Sequence, residues 1–269
     1  MLLPWIASVA LATSYVTAIR FHQPLSISLL DRNDPLVIKY RFSRISTLCL
    51  AMVILLPWIL SVSGNYADYP TALRQFGLFP GFCNTHSFKT DICNVLLALF
   101  KILLLYCGPI ANYVVTGLAR MWKQHLHDEF MSIWGFRDHV FAPVSEELVY
   151  RAGVVSILQP YSSHITVYSP FLFGLAHVHH GIQLYRDKYP VSQIFLSVFV
   201  QLVYTSLFGM LANYMYISSG ENLWCPIVVH GVCNLIGFPS FDMRENHPRW
   251  FWVYCGMLVI GVVMFFKVL

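Results

Sequence analysis

The sequence has few charged residues for its length. Only 11% of its 269 residues are Asp, Glu, Lys or Arg, whereas roughly 25% is usual for a soluble domain. The basic residues outnumber the acidic ones by only 17 to 13 and are scattered, so we expect no nucleic-acid partner. Because 57% of the residues are hydrophobic, the composition indicates a polytopic protein whose surroundings are the lipid bilayer.

Common metal and redox motifs are also missing. The sequence contains no HExxH and no CxxC. Five of the seven cysteines lie in apolar runs, whereas Cys83 and Cys93 flank a loop and could pair if that loop faces an oxidising lumen. Since there is also no internal repeat, low-complexity tract or linker, we expect a single domain over residues 1–269.

Long apolar runs predict an all-α protein with about eight transmembrane helices. Residues 20–44 read as a polar, basic connection and residues 120–137 as a helix at the membrane interface. The predicted spans cover about residues 2–19, 46–62, 92–118, 143–158, 168–182, 191–217, 223–238 and 250–266.

The Lys and Arg residues of the successive loops predict the orientation. Their numbers are five, two, three, none, two, none and two, so the odd-numbered loops should face the cytosol. With this orientation, Glu146, His177 and His230 lie roughly 7 to 12 Å below the cytosolic surface. Three separate helices therefore place their unusual polar residues in one layer.

Three ionised side chains lie within the fourth predicted span. Glu147 and Arg151 are four residues apart and share a helical face as an ion pair, whereas Glu146 is rotated by about 100° and has no such partner. Each charge in a span costs roughly 2.5 to 3.5 kcal/mol on insertion scales. The cluster therefore predicts an intramembrane cavity that uses the charges. The alternative is a salt bridge near the membrane surface that tightens helix packing.

Two histidines and an asparagine extend this set. His230 and Asn234 project from one helical face and can both donate a hydrogen bond to a single acceptor, as an oxyanion hole does. Glu146 and a histidine on another helix, such as His177, can hold and deprotonate a water molecule. The alternative for each histidine is a structural hydrogen bond between helices.

These residues form three patterns: Glu146-Glu147-x-x-x-Arg151, Phe173-x-x-x-His177 and His230-x-x-x-Asn234. In this order, on separate helices, they resemble the motifs of the Ras-converting CAAX prenyl endopeptidases, within the CAAX protease and bacteriocin-processing superfamily. The resemblance implies an eight-helix protease enclosing an intramembrane catalytic cavity, with a motif core at residues 141–238. The implied substrates are farnesylated or geranylgeranylated CAAX proteins, such as Ras-like small GTPases, which lose their last three residues.

The resemblance also implies residue roles and a location. Glu146 and His177 would activate water, and His230 and Asn234 would form the oxyanion hole, with Glu147 and Arg151 in supporting positions. The implied location is the endoplasmic reticulum membrane, with the active site toward the cytosol. We expect no cofactor and no metal.

Three other functions compete with this interpretation. A zinc metalloprotease could use His177, His179 and His180 together with Glu146, although His179 points away from the helical face that the other two share. A cysteine protease could use Cys233, three residues after His230. A transporter or an inactive scaffold could use the same polar layer for binding alone.

Overall fold

The computed structural model describes residues 2–269, which form helices and turns and contain no β-strand. The all-α prediction is confirmed. The main helices of this range are α1 (Leu2–Arg20), α2 (Pro35–Val62), α3 (Phe88–Leu105), α4 (Cys107–Val115), α5 (Trp122–Met131), α6 (residues 133–158), α7 (residues 170–186), α8 (Val191–Ser218), α9 (Trp224–Ile236) and α10 (Pro248–Val268). Single helical turns lie at Leu25–Ser28, Tyr69–Arg74, Leu118–Met121, Gln159–Tyr161, Ile165–Tyr168 and Met243–Asn246.

Several helices are suited to a lipid environment. Within residues 2–269, α1, α2, α8 and α10 are long and apolar enough to cross a bilayer, and the bent pair α3 and α4 is a fifth candidate. Large side chains on these helices are exposed, including Phe195 at 72% and Trp252 at 73%, as expected of surfaces that contact lipid. The chain is a multi-pass membrane protein. The predicted number of eight spans is not confirmed, because α9 has only 13 residues and α6 and α7 contain π and 3₁₀ turns.

Helix α2 begins earlier than predicted. Asp34 caps its first turn, accepting a hydrogen bond from the Leu36 amide at 2.8 Å, and Pro35 occupies the first helical position. Residues 35–44 therefore belong to the helix, and the predicted polar connection over residues 20–44 is wrong for its second half.

The predicted span over residues 92–118 is broken. Helix α3 ends at Leu105, and α4 continues at an angle of 66°. Pro109 explains the break, because it has no amide hydrogen and its ring would clash with the carbonyl group of Leu105 in a continuous helix.

Helix α6 is the central element of the core. Every residue from 147 to 158 is buried. Two π-helical segments, Arg137–Phe141 and Leu148–Val155, flank the α-helical turn Ala142–Glu147. The regular α-helical geometry that was expected here is therefore interrupted twice. Such π segments are rare and are often found at functional sites.

Four helices surround the polar residues of α6. Helix α1 packs against α6, α7 lies between α1 and α8, and α9 packs against α3, α6 and α8. Helices α7 and α8 approach closely at Gly209, where a Cβ atom would lie 2.8 Å from Cβ of Pro170. This packing brings the three motifs to one region.

Cys83 and Cys93 do not form a disulfide. Cys83 is buried, and its thiol lies 3.5 Å from the carbonyl oxygen of Phe79, whereas Cys93 is exposed on α3. Both are free thiols, so the possible pairing is not present in this structure.

Candidate active site

Glu147 joins two of the three motifs. Its Oε1 accepts a hydrogen bond from His230 Nδ1 at 2.7 Å and another from Arg151 Nη1 at 3.2 Å. Arg151 Nε also lies 3.0 Å from Oε2, an ion-pair contact that is too oblique for a hydrogen bond. The predicted ion pair between Glu147 and Arg151 is confirmed. The contact of Glu147 with His230 was not predicted, because the spacing of residues within one helix does not reveal a partner on another helix.

Arg151 is buried among aromatic rings. Its guanidinium lies 4.7 Å from the ring centre of Phe173 and 5.7 Å from that of Phe208. Nη2 also donates to the carbonyl oxygen of Gly209 at 3.4 Å. Cation–π contacts of this kind contribute more when the cation is removed from water. Arg151 therefore connects α6 to both α7 and α8, in addition to neutralising Glu147.

Glu146 is the carboxylate that the ion pair leaves free. Its side chain is 17% exposed, its Oε2 lies 3.9 Å from His230 Nε2, and it makes no hydrogen bond with residues 2–269. His230 therefore stands between two carboxylates, with Nδ1 bonded to Glu147 and Nε2 facing Glu146. Since a carboxylate only accepts hydrogen bonds, Nδ1 carries a proton. A proton on Nε2 as well would make the ring cationic.

His177 lies in the 3₁₀ turn of α7. Its Nδ1 lies 2.8 Å from the carbonyl oxygen of Phe173, one helical turn earlier. Because a carbonyl oxygen accepts, Nδ1–H is the donor, and in the neutral ring Nε2 has a free lone pair. The ring of Phe173 lies edge-on to both His177 and His230, with centres 4.7 and 6.2 Å away. Phe173 thus fixes the spacing between the two histidines.

Asn234 lies on the same face of α9 as His230, as the spacing predicted. It is exposed, and its Nδ2 donates to the carbonyl oxygen of Asp138 at 2.8 Å. An amide nitrogen has two hydrogens. One therefore holds Asn234 against α6, and the other is available to a second acceptor.

Two cavities meet at these residues. One, of about 240 Å³, is called the basic cavity; its lining includes Arg20, Arg32, Arg41, Glu146 and His177. The other, of about 830 Å³, is called the apolar cavity; it is lined mainly by aliphatic and aromatic side chains of α7 to α10 and includes Phe173, His177, His230 and Asn234. His177 lines both. The four predicted catalytic residues therefore stand around the junction of the two cavities.

The other two histidines of α7, His179 and His180, each contact a different partner. His179 Nδ1 contacts the carbonyl oxygen of Ala176, and His180 Nδ1 contacts Gln201 at 2.8 Å. Within residues 2–269, no three His, Cys, Asp or Glu side chains are arranged to hold a metal ion. The donor set that the zinc alternative requires is therefore not assembled in this geometry.

Comparisons with known proteins agree with this arrangement. Residues 129–236 match the family model described as type II CAAX prenyl endopeptidase Rce1-like. The chain is 32% identical over 265 residues to CAAX prenyl protease 2 of Saccharomyces cerevisiae, covering 86% of this chain and 84% of that protein. It belongs to the CAAX prenyl protease 2 family. The human protein of the same name is 30% identical over 259 residues, covering 89% of this chain and 72% of its own length. No solved structure matches the chain.

Two further features of this family member's site were not predicted from the sequence. Tyr15 on α1 contacts Ser145 through their hydroxyl oxygens at 2.9 Å, directly beside Glu146. Arg20 and Arg41, which were assigned to the polar connection over residues 20–44, line the basic cavity. The Asp34-Pro35 helix start was the available signal for Arg41, and the nearly uniform apolar character of α1 gives no indication of which of its faces meets the site.

Proposed function

We propose that this chain is an intramembrane endopeptidase that removes the C-terminal tripeptide from prenylated CAAX proteins. The names of the relatives support a peptidase that acts on CAAX proteins. The observation that carries the proposal is the junction of a basic cavity and an apolar cavity at His177. A substrate with a lipid on one side of the scissile bond and a peptide on the other needs an apolar cavity and a polar cavity next to each other.

The apolar cavity suits the prenyl chain. Its volume of about 830 Å³ is within the usual range for ligand sites. Leu207, Phe238 and Phe266 lie at its rim with more than half of their surface exposed. These side chains belong to the surface that faces lipid, so a farnesyl or geranylgeranyl group can enter sideways from the bilayer. The peptide beyond the prenylated cysteine then extends into the basic cavity.

Glu146 and His177 are placed to activate water. One hydrogen of a water molecule is donated to the free carboxylate of Glu146 and the other to His177 Nε2. As the water oxygen attacks the scissile carbonyl carbon, Glu146 takes one proton and later delivers it to the nitrogen of the departing tripeptide. The hydroxyl group stays on the carbonyl carbon, so the atoms of one water are divided between the two products.

His230 and Asn234 are placed to stabilise the oxyanion. The remaining Nδ2 hydrogen of Asn234 can donate to the developing negative charge. His230 can donate through Nε2 only as the imidazolium, because its Nδ1 hydrogen is engaged by Glu147. The carboxylates of Glu146 and Glu147 lie on either side of the ring and would balance the charge of that cation. Glu147 is thus a positioning residue for His230, and Arg151 holds Glu147.

The proposal includes a location and a range of substrates. We place the protein in the endoplasmic reticulum membrane with the basic cavity toward the cytosol, in agreement with the loop charges. Ras-like small GTPases with farnesyl or geranylgeranyl groups are the substrates we expect. The whole chain acts as a single domain around the motif core at residues 141–238, and the chemistry is of the glutamic type.

The test is release of a tripeptide from a prenylated CAAX peptide by purified protein in detergent. Glu146→Gln should abolish release while leaving the unfolding temperature unchanged. Glu245→Gln is the matched control, because Glu245 is an exposed carboxylate outside both cavities. Full activity of Glu146→Gln would refute the glutamic mechanism. Stoichiometric zinc whose removal abolishes activity would favour the metalloprotease instead, and binding without cleavage would favour a scaffold or transporter.

A further inference from the structure

The basic cavity contains more positive charge than the proposed chemistry uses. Four arginines contribute to its lining, on α1, on the loop before α2, on α2 and on α6: Arg20, Arg32, Arg41 and Arg137. Among residues 2–269, the carboxylates that line it are those of Asp138 and Glu146. With all six ionised the cavity has a net charge of +2, from four positive and two negative groups. A cavity with this balance attracts an anion.

Within residues 2–269, three of the four arginines form no ion pair, and two of these three, Arg20 and Arg41, are partly buried, whereas Arg32 is exposed. Arg137 is paired with Asp138 through Nε at 2.6 Å and Nη2 at 2.9 Å. In contrast, no carboxylate of residues 2–269 lies within ion-pair distance of Arg20 or Arg41. The Nε atoms of Arg20 and Arg41 are also buried without a hydrogen-bond partner. A buried donor without an acceptor is costly, and the guanidinium groups on the same cavity wall repel each other.

The position of these arginines relative to Glu146 matches the length of a tripeptide. The hydroxyl group of Tyr15 contacts Ser145, the residue before Glu146, and so marks where α1 passes Glu146. Arg20 lies five residues further along α1, or about 7.5 Å at 1.5 Å per residue. Three extended residues cover roughly 10 Å. The long side chain of the arginine can cover the difference between these two lengths.

We propose that Arg20 and Arg41 bind the C-terminal carboxylate of the CAAX substrate. The inference rests on the proposed function, because it assumes that the tripeptide lies in the basic cavity. Arginine suits this ligand because its planar donors match the two oxygens of a carboxylate. A carboxylate held there sets the distance from the end of the chain to the bond beside Glu146. The site thereby selects proteins that end three residues after the prenylated cysteine.

The experiment compares two prenylated peptides that differ only at the C-terminus, one ending in a carboxylate and one in a carboxamide. Both are assayed with protein in vesicles of phosphatidylcholine. For the wild type we expect kcat/KM to be about ten- to hundredfold lower for the amide, through KM, as for loss of a charge-assisted hydrogen bond. In the Arg20→Gln and Arg41→Gln variants, kcat/KM for the peptide acid should fall to the kcat/KM of the peptide amide. They should change the value for the amide by less than about twofold.

Lys39→Gln is the matched control, because Lys39 is an exposed cation on α2 outside both cavities. It should leave both peptides unaffected. Arg41→Lys should restore part of the preference for the acid, since it keeps the charge but loses the paired donors. Equal cleavage of acid and amide by the wild type would overturn the proposal. An equal loss for both peptides in the Arg20 and Arg41 variants would also overturn it, since a purely structural role gives that result.

Two further arms separate the other outcomes. If 20% phosphatidylserine in the vesicles raised activity on both peptides equally, and the arginine variants abolished that rise, the cavity would bind a lipid headgroup and the proposal would be wrong.

Binding of both peptides to the Glu146→Gln protein gives a readout independent of cleavage. Failure of the wild type to cleave either peptide would refute the proposed function. Tighter binding of the acid than the amide would still support the carboxylate site, and equal binding would overturn it.

Discussion

Replacing Glu147 by leucine should destabilise the protein strongly. The side chains of Glu147 and Arg151 are 0% and 1% exposed. Without the carboxylate, the guanidinium keeps only the Gly209 carbonyl oxygen and the faces of two aromatic rings. Removing one partner of a buried ion pair typically costs about 3 to 5 kcal/mol. For a chain of this size that corresponds to a fall in Tm of roughly 6 to 20 °C, measurable by thermal unfolding in detergent.

The double variant Glu147→Leu/Arg151→Met should recover most of this loss. Both charges are then absent, and buried ion pairs can often be replaced by apolar residues at little cost in stability. Methionine can also pack between the rings of Phe173 and Phe208. The double variant should therefore unfold within a few degrees of the wild type.

Activity should not recover with stability. His230 Nδ1 still lacks its acceptor at 2.7 Å, so the orientation of the ring is no longer fixed. Loss of one oxyanion donor costs about 10² to 10³ in kcat, and we expect the double variant to show a loss of that size. The assay is tripeptide release at a temperature at which both proteins are folded.

Two results would refute this reasoning. Wild-type kcat in the double variant would show that Glu147 does not position His230. An unchanged Tm in Glu147→Leu would show that the carboxylate does not balance a buried charge. Glu245→Leu serves as the control for the loss of an exposed carboxylate, and it should change neither quantity.

Three other predictions concern the surroundings of the site. Cys233→Ala should keep at least half of the activity, and loss of all activity with normal folding would revive the cysteine protease alternative. Gly209→Ala should cost about 1 to 3 kcal/mol, because its Cβ would lie 2.8 Å from Pro170 Cβ; Gly256→Ala, where the added atom meets nothing within 4 Å, is the control for Tm. Leu207→Trp should narrow the apolar cavity and lower kcat/KM more for a geranylgeranyl than for a farnesyl peptide of the same sequence. An unchanged ratio would indicate that the prenyl group lies elsewhere.

The polar layer was predictable because charge within apolar helices is expensive. Helical spacing alone paired Glu147 with Arg151 and left Glu146 free, and the structure has both features. Spacing also placed His230 and Asn234 on one face, and both line the apolar cavity. Each of these inferences needs only the spacing of residues within one helix, or the depth of a residue in the membrane. The depth follows from the loop charges and from the rise per residue of a helix.

Contacts between helices were not predictable in the same way. The bond from His230 to Glu147 depends on how α9 and α6 are rotated about their axes, and no pattern within one helix records that rotation. The π segment Leu148–Val155 changes the direction of the side chains after Glu147, and the sequence has no distinct signal for it. In contrast, the start of α2 at Asp34-Pro35 has a recognisable signal, a capping residue followed by proline, which the predicted connection over residues 20–44 did not take into account.

The neighbouring positions of Glu146 and Glu147 allow α6 to hold one carboxylate firmly and to leave the other without a partner. Glu147 faces the core, is neutralised by Arg151 and is fixed by two hydrogen bonds. Glu146 faces the basic cavity and has no hydrogen-bond partner in residues 2–269, which is the arrangement that the proposed activation of water requires. His230 contacts both carboxylates. A change of protonation on Glu146 therefore reaches His230 directly, while the buried pair keeps the ring in place.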